Sequence, residues 1–270
     1  MRRTYELTGW KQFAGVDWRS SIMSVTTTDR FHAKQGRSIG RWRLRAGNRT
    51  LTVYLKRHYR LEWWRSWLAL IWPQRDWSPG LQEWKHLHWA QELGLPVPRV
   101  WAAGEFIGPG PRLQSFLAVE ELADMLPLHE AIPAASEKQQ PLDFIRWKRG
   151  LIAELVRLTR CLHDRDWFHK DLYLCHFYIP RQVIETIPDS WRGLVHIIDF
   201  HRLSRHRWTS AWWRVKDLAQ LLYSSEIRGV NVRDRLLFWR LYGKGRSWRR
   251  LILWKWQAYR RHNLKRKRKP

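Results

Sequence analysis

Cysteines are scarce in this chain, carboxylates are few, and no long apolar run occurs. Two cysteines, Cys161 and Cys175, stand among 270 residues, which argues against a disulfide framework and for a reducing compartment. No stretch of 18 or more apolar residues runs uninterrupted by charge, so no segment is expected to cross a membrane as a helix. The opening residues Met1-Arg2-Arg3-Thr4-Tyr5-Glu6 lack the apolar region of a secretory signal, and the expected setting is cytoplasmic. Only 24 Asp and Glu face 50 Lys and Arg, a net charge of +26. A cationic ligand is hard to reconcile with that balance, whereas nucleic acid, anionic lipid and phosphorylated glycans all suit it.

What is present in excess is tryptophan, 21 residues of it. Trp beside Arg suits headgroups, sugar faces and nucleobases alike, so composition does not choose among these partners. A basic globular protein from an Arg- and Trp-rich proteome has the same composition. No internal repeat and no DNA- or RNA-reading motif is visible, and no specific nucleic acid is expected as a partner.

Residues 1–30 read as polar and irregular. Phe31 to Leu44 reads as strand, glycine-containing turn and strand, and Thr50 to Lys56 as a third, β-branched strand after a Gly47-Asn48 hairpin turn. Residues 57–77 carry Trp63, Trp64, Trp67, Leu68, Leu70, Ile71 and Trp72 among arginines. This segment suits either a membrane interface or a helix packed on the protein's own core. Ser78-Pro79 marks a helix start and Gly94 its stop. Strands follow at 99–103 and 115–120, then an acidic connection, Glu120-Glu121, and a Pro-rich loop at 133–141. A long amphipathic helix is expected over 142–164, a strand over 194–199 and helices over 212–225 and 232–242. The last residues, 260–270, form a basic tail expected to be disordered in isolation. The order implies a β-rich first lobe and an α-rich second.

Four pieces of the chain match the needs of phosphoryl transfer, which are held phosphates, neutralised charge and an aimed hydroxyl. Gly36 and Gly40 lie in a strand-turn-strand, where glycine lets backbone N–H groups approach phosphate; a plain turn would look the same. Lys56 ends an apolar strand and reaches toward nucleotide phosphates, although a snorkelling surface lysine shares that pattern. Glu83 lies on the next helix, spaced to pair with Lys56. The most specific piece is His169-Lys170-Asp171-Leu172-Tyr173-Leu174-Cys175-His176, followed by Ile197-Ile198-Asp199. Asp171 is the candidate catalytic carboxylate for the hydroxyl proton, with His169 bracing its loop. Asp199 at a strand end is a candidate Mg²⁺ ligand, with His176 where kinases carry a metal-binding Asn. A zinc reading of Cys161, His163, His169, Cys175 and His176 fails because their spacing matches no paired-ligand zinc motif.

At these residues the chain resembles the lipopolysaccharide core heptose kinase family, which includes the kinases acting on lipid A–linked Kdo. The resemblance runs through Lys34-Gln35-Gly36-Arg37, Leu55-Lys56-Arg57, Leu81-Gln82-Glu83-Trp84, Gly94-Leu95-Pro96-Val97-Pro98, the 169–177 loop, Ile198-Asp199-Phe200-His201-Arg202 and Lys216-Asp217-Leu218-Ala219-Gln220-Leu221. Ordinary protein kinases have Asn in place of His176 and Gly in place of His201. The resemblance implies an α+β, protein-kinase-like two-lobed fold: an N-terminal extension (1–30), an N-lobe (31–123), a C-lobe (124–259) and the tail (260–270). It implies ATP and Mg²⁺, and phosphate transfer to a heptose or Kdo hydroxyl of the lipopolysaccharide inner core. It also implies a steadying role for Asp217. The basic, Trp-rich composition makes the segment 63–72 and the basic tail the candidate peripheral contacts with an anionic membrane surface. The alternatives are an aminoglycoside-type phosphotransferase and a non-catalytic, kinase-like polyanion binder.

Overall fold

A computed structural model of the chain describes residues 3–34, 36–72, 74–108, 112–243 and 245–267. Gln35 of the Lys34-Gln35-Gly36-Arg37 motif lies outside the described residues. The chain divides into two compact units, residues 1–123 and 124–270. In the first, β1 (Arg3–Glu6), short helices α1 (Trp10–Ala14) and α2 (Trp18–Ser21), β2 (Thr28–Lys34), β3 (Arg37–Ala46) and β4 (Arg49–His58) precede α3 (Trp63–Ile71), α4 (Pro79–Glu92), β5 (Val100–Gly108) and β6 (Arg112–Glu120). The strands form one sheet in the order β1-β5-β6-β4-β3-β2, every neighbouring pair antiparallel. Gly47 (φ 58) takes the first central position of the two-residue β3–β4 hairpin, where a positive φ favours glycine.

Residues 3–30 are not irregular. β1 pairs with β5, and Trp10, Trp18 and Ile22 are buried with Leu44, Leu51, Val53, Leu55, Phe116 and Ala118. The apolar residues of this segment are too sparse to show a period, and their partners lie on strands that come later in the chain. Along β4, Leu51, Val53 and Leu55 alternate into that core, which places Lys56 on the other face of the sheet. Gly40 is fixed by packing: a Cβ there would lie 2.2 Å from Thr27 Oγ1.

α3 packs on its unit through its smallest residues. Ser66 and Ala69 are buried, and Ser66 Oγ accepts the Leu113 N–H at 2.8 Å. Trp63, Trp67, Leu70, Ile71 and Trp72 are each more than half exposed. α4 starts as expected, with Ser78 Oγ accepting from Leu81 N–H and Pro79 in the first turn, and Gly94 (φ 69) follows its end.

The second unit comprises β7 (Met125–Pro127), α5 (Leu128–Lys138), α6 (Pro141–His163), β8 (Trp167–Phe168), β9 (Phe177–Pro180), β10 (His196–Ile197), β11 (Ser204–Arg205), α7 (Ser210–Ser224), α8 (Val232–Tyr242) and α9 (Arg246–Lys267), with 3₁₀ turns at Leu174–His176, Arg181–Ile184 and Phe200–Arg202. α6 buries Trp147, Leu151, Leu155, Leu158 and Leu162 at helical spacing. The loop expected over 133–141 is instead mostly helix: α5 runs through Pro133 because Leu128, Ala131, Ile132 and Ala135 bury one face, outweighing one lost backbone bond. The strand expected over 194–199 shortens to its central pair. The tail is helical as far as Lys267, an extension of α9, whose Ile252, Trp256 and Tyr259 pack against α7 and α8 residues. An apolar cavity of about 260 Å³ lies among Leu151, Leu155, Leu218, Leu222, Phe238 and Ile252. Among the described residues no helix is long and apolar enough to cross a membrane.

Candidate active site

In the first unit Lys56 Nζ meets Glu83 Oε1 at 2.6 Å, with both side chains largely enclosed. The pairing follows from the fold: strand alternation turns Lys56 toward α4, and Glu83 lies one turn into that helix. A partly buried pair of this kind fixes the lysine direction. Next to it Arg57 points the opposite way and is 1% exposed. Its guanidinium donates to Met23 O, Val25 O, Ser38 Oγ and Thr27 Oγ1, anchoring the chain just before β2. Gly36 takes a turn conformation (φ 78) against Arg60, and the need for glycine at position 40 is imposed by Thr27.

In the second unit the loop after β8 is held by one face of α7. Asp217, fully buried, accepts the N–H of His169 at 2.8 Å and of Lys170 at 2.9 Å, and His163 Nε2 approaches it at 3.3 Å. Gln220 Oε1 accepts the Leu172 N–H, Ser224 Oγ the Leu174 N–H, and Lys216 Nζ donates to the Lys170 carbonyl at 2.6 Å. Positions 216, 217, 220 and 224 share a helix face. Lys170 sits at φ 68 and Asp199 at φ 67, left-handed conformations that cost non-glycine residues about 1 kcal/mol or more. At Lys170 the Asp217 bonds offset that cost.

The two carboxylate loops are cross-braced. His169 is fully buried and its Nε2–H donates to the Ile198 carbonyl at 2.9 Å. Burial pushes its pKa down, so it stays neutral. His169 therefore braces the two loops against each other. His176 Nδ1–H donates to the Asp171 carbonyl at 2.7 Å, Ile198 N–H to the His176 carbonyl at 3.0 Å, and His176 Nε2 lies 3.9 Å from Asp199 Oδ2. Burial alone would lower the His176 pKa. Cys175, the Asp171 carbonyl and Asp199 more than offset it, and the imidazole is pushed up to about 9. His201 Nδ1 bonds Asp199 Oδ1 at 2.6 Å. Asp171 meets Arg202, whose Nη1 is 3.0 Å from both carboxylate oxygens.

Among the described residues no group of three or more His, Cys, Asp or Glu is gathered as a metal cage. Mg²⁺ bound through one or two carboxylates plus phosphate oxygens and water needs no cage, and Asp199 fits that donor set. His176 fits it less well. A hard cation prefers oxygen, and an imidazole with a pKa of about 9 carries its second proton at neutral pH.

The sequence reading named Asp171, His169, Asp199, His176, Lys56 and Glu83 as candidates, and the structure places the first four in one unit and pairs the last two in the other. It missed Arg202 as the partner of Asp171, the ties from Gln220 and Ser224, and buried Arg57. The signal available was that all four fall inside or beside the quoted motifs.

The model of the Lipopolysaccharide kinase (Kdo/WaaP) family matches residues 29–242. The lipopolysaccharide core heptose(I) kinase WaaP of Pseudomonas aeruginosa is 32% identical over 161 residues, covering 60% of this chain and 58% of that protein. The protein of the same name from Escherichia coli K12 is 30% identical over 165 residues, again 60% of this chain and 58% of the other. The match thus spans under two thirds of the length of these relatives. A solved structure described as WaaP in complex with acyl carrier protein has a TM-score of 0.70 at 25% identity, covering 96% of this chain and 98% of that one. The α+β, protein-kinase-like fold expected from the sequence, with a β-rich first and an α-rich second unit, is the fold found. This chain belongs to the lipopolysaccharide kinase (Kdo/WaaP) family.

Proposed function

We propose that this chain is an ATP-dependent kinase that phosphorylates a heptose or Kdo hydroxyl of the lipopolysaccharide inner core. The observation that carries the reading is the second-unit loop pair: Asp171 and Asp199 on separate loops, braced through His169 and His176 and held by Asp217. Lys56, oriented by Glu83, holds nucleotide phosphate oxygens, and the backbone around Gly36 and Gly40 covers them. Asp199 would hold Mg²⁺, which would supply charge neutralisation to the phosphates when bound. Asp171 receives the hydroxyl proton as the hydroxyl oxygen bonds to the γ-phosphorus and the bond to ADP breaks. His176 steadies the Asp171 backbone and faces Asp199.

The test is transfer of labelled γ-phosphate to deacylated inner-core oligosaccharide by purified protein. Asp171→Ala is expected to lower kcat by at least about a thousandfold with the circular dichroism spectrum unchanged. Normal turnover by that variant would remove Asp171 from its role. The acceptor panel includes an aminoglycoside, because phosphorylation of that cation alone would favour the small-molecule alternative.

The reading extends to location and partners. The Trp face of α3, set in a chain of net charge +26, makes peripheral contact with the anionic cytoplasmic face of the inner membrane. The related structure solved with acyl carrier protein makes such a carrier a candidate partner here, with its acyl chain in the apolar cavity of the second unit.

A further inference from the structure

Both oxygens of Asp171 face Arg202 Nη1 at 3.0 Å, so the carboxylate a hydroxyl would approach is already paired with a cation. Arg202 is half exposed while Asp171 is mostly enclosed, so the guanidinium sits on the outer side of the carboxylate. Two more cations flank the pair. Lys216 Nζ bonds the Lys170 carbonyl at 2.6 Å. The ammonium groups of Lys170 and Lys216 lie 4.3 and 5.1 Å from the centre of the Trp213 ring, which His206 stacks against. Burial, and next the charge of Arg202, push both lysine pKa values down; the three cations therefore feel one another. Asp217, the other nearby carboxylate, is fully buried and occupied by backbone amides. Arg202 on Asp171 is thus joined by two further positive charges, and an indole lies against both of these.

We propose that Arg202, Lys170 and Lys216 form an anion subsite for the acceptor, and that Arg202 is a latch on Asp171. A carboxylate or phosphate on the acceptor sugar draws Arg202 away, and Asp171 is freed to take the proton of the neighbouring hydroxyl. The guanidinium suits this exchange because it forms paired bonds equally well with either anion. The inference rests on the kinase reading above and names what that site selects: an acceptor with an anion beside its reactive hydroxyl.

The experiment compares three deacylated inner-core oligosaccharides: intact, carboxyl-reduced and dephosphorylated. Each is assayed with the wild-type chain, Arg202→Gln and Lys216→Gln. With wild type, removing the recognised anion raises the acceptor KM about tenfold; whichever treatment does so identifies carboxylate or phosphate as its source. With Arg202→Gln the acceptor KM rises similarly for the intact sugar, the KM for ATP stays unchanged, and kcat on the acceptor lacking the anion rises above wild type because the latch is gone. Opposite changes on the two acceptors are not expected of a merely structural residue. An Arg202→Gln variant that loses activity equally on all three, or that raises the KM for ATP instead, overturns the proposal. Calorimetric titration of the same sugars covers the case where none is phosphorylated. Weaker binding of the intact sugar to Arg202→Gln and Lys216→Gln then keeps the subsite while the kinase reading falls, and equal binding overturns the subsite.

Discussion

Asp217 spends both carboxylate oxygens on the amides of His169 and Lys170, inside a region that excludes water. Asp217→Asn replaces one acceptor with a donor facing a backbone N–H, and is expected to cost about 3 kcal/mol in urea unfolding; a change below about 1 kcal/mol would contradict the bonds described. His176 supplies a pH signature. Its imidazole goes from 6.5 in the unfolded chain to about 9 in the fold. The folded state therefore holds an extra proton between these values. The stability this contributes is whole below pH 6.5 and is lost as the pH rises through about 9. Wild-type stability should fall across that window, by up to about 1.4 kcal/mol per pH unit, and more steeply than in His176→Gln; parallel curves would argue against the raised value. The carboxylates themselves were legible in sequence because a short loop motif carries them. Their partners were not: Arg202 lies 31 residues from Asp171, and nothing local marks that pairing.

At the scale of elements, local signals were read correctly where the deciding contacts are local. Ser78 and Pro79 start α4, and Asn231 with Asp234 closes a capping box on α8. Ser78→Ala should lower stability by about 1 kcal/mol, measurable as a drop in thermal midpoint. α3 and α5 were harder, because a distant strand decides which face of α3 turns inward and tertiary burial overrides Pro133 in α5. The exposed face of α3 yields a separable prediction. Replacing Trp63, Trp67 and Trp72 together with Ser leaves the thermal midpoint nearly unchanged, since all three are more than half exposed. Flotation with anionic vesicles should fall at least about tenfold, at a few tenths to 1 kcal/mol or more per indole withdrawn from the interface. Unchanged flotation would move the membrane contact elsewhere.

For the whole molecule, the two-unit, β-then-α order was readable from where strand-like and helix-like segments cluster, and the first thirty residues were not. Their sparse Trp and Ile gain meaning only against β3, β4 and β6. Removing residues 1–22 takes Trp10, Trp18 and Ile22 from that core, a loss of roughly 6–9 kcal/mol, comparable to the whole stability of an ordinary domain. The truncated chain is expected to lose strand signal in circular dichroism; a folded product would show these residues to be dispensable. Net charge acts over the same scale. With +26, vesicle binding should weaken steadily as salt is raised, and salt-insensitive binding would leave the indoles as its main source.

The stitching of the 169–174 loop to α7 also sets when the loop can move. Four consecutive or near-consecutive loop amides, at His169, Lys170, Leu172 and Leu174, end on side chains of one helix. Their protons can exchange with deuterium only when that helix face lets go, so they should exchange as one group, at the pace of α7 and not at the pace of an exposed loop. The 169–174 loop thereby inherits the lifetime of a helix.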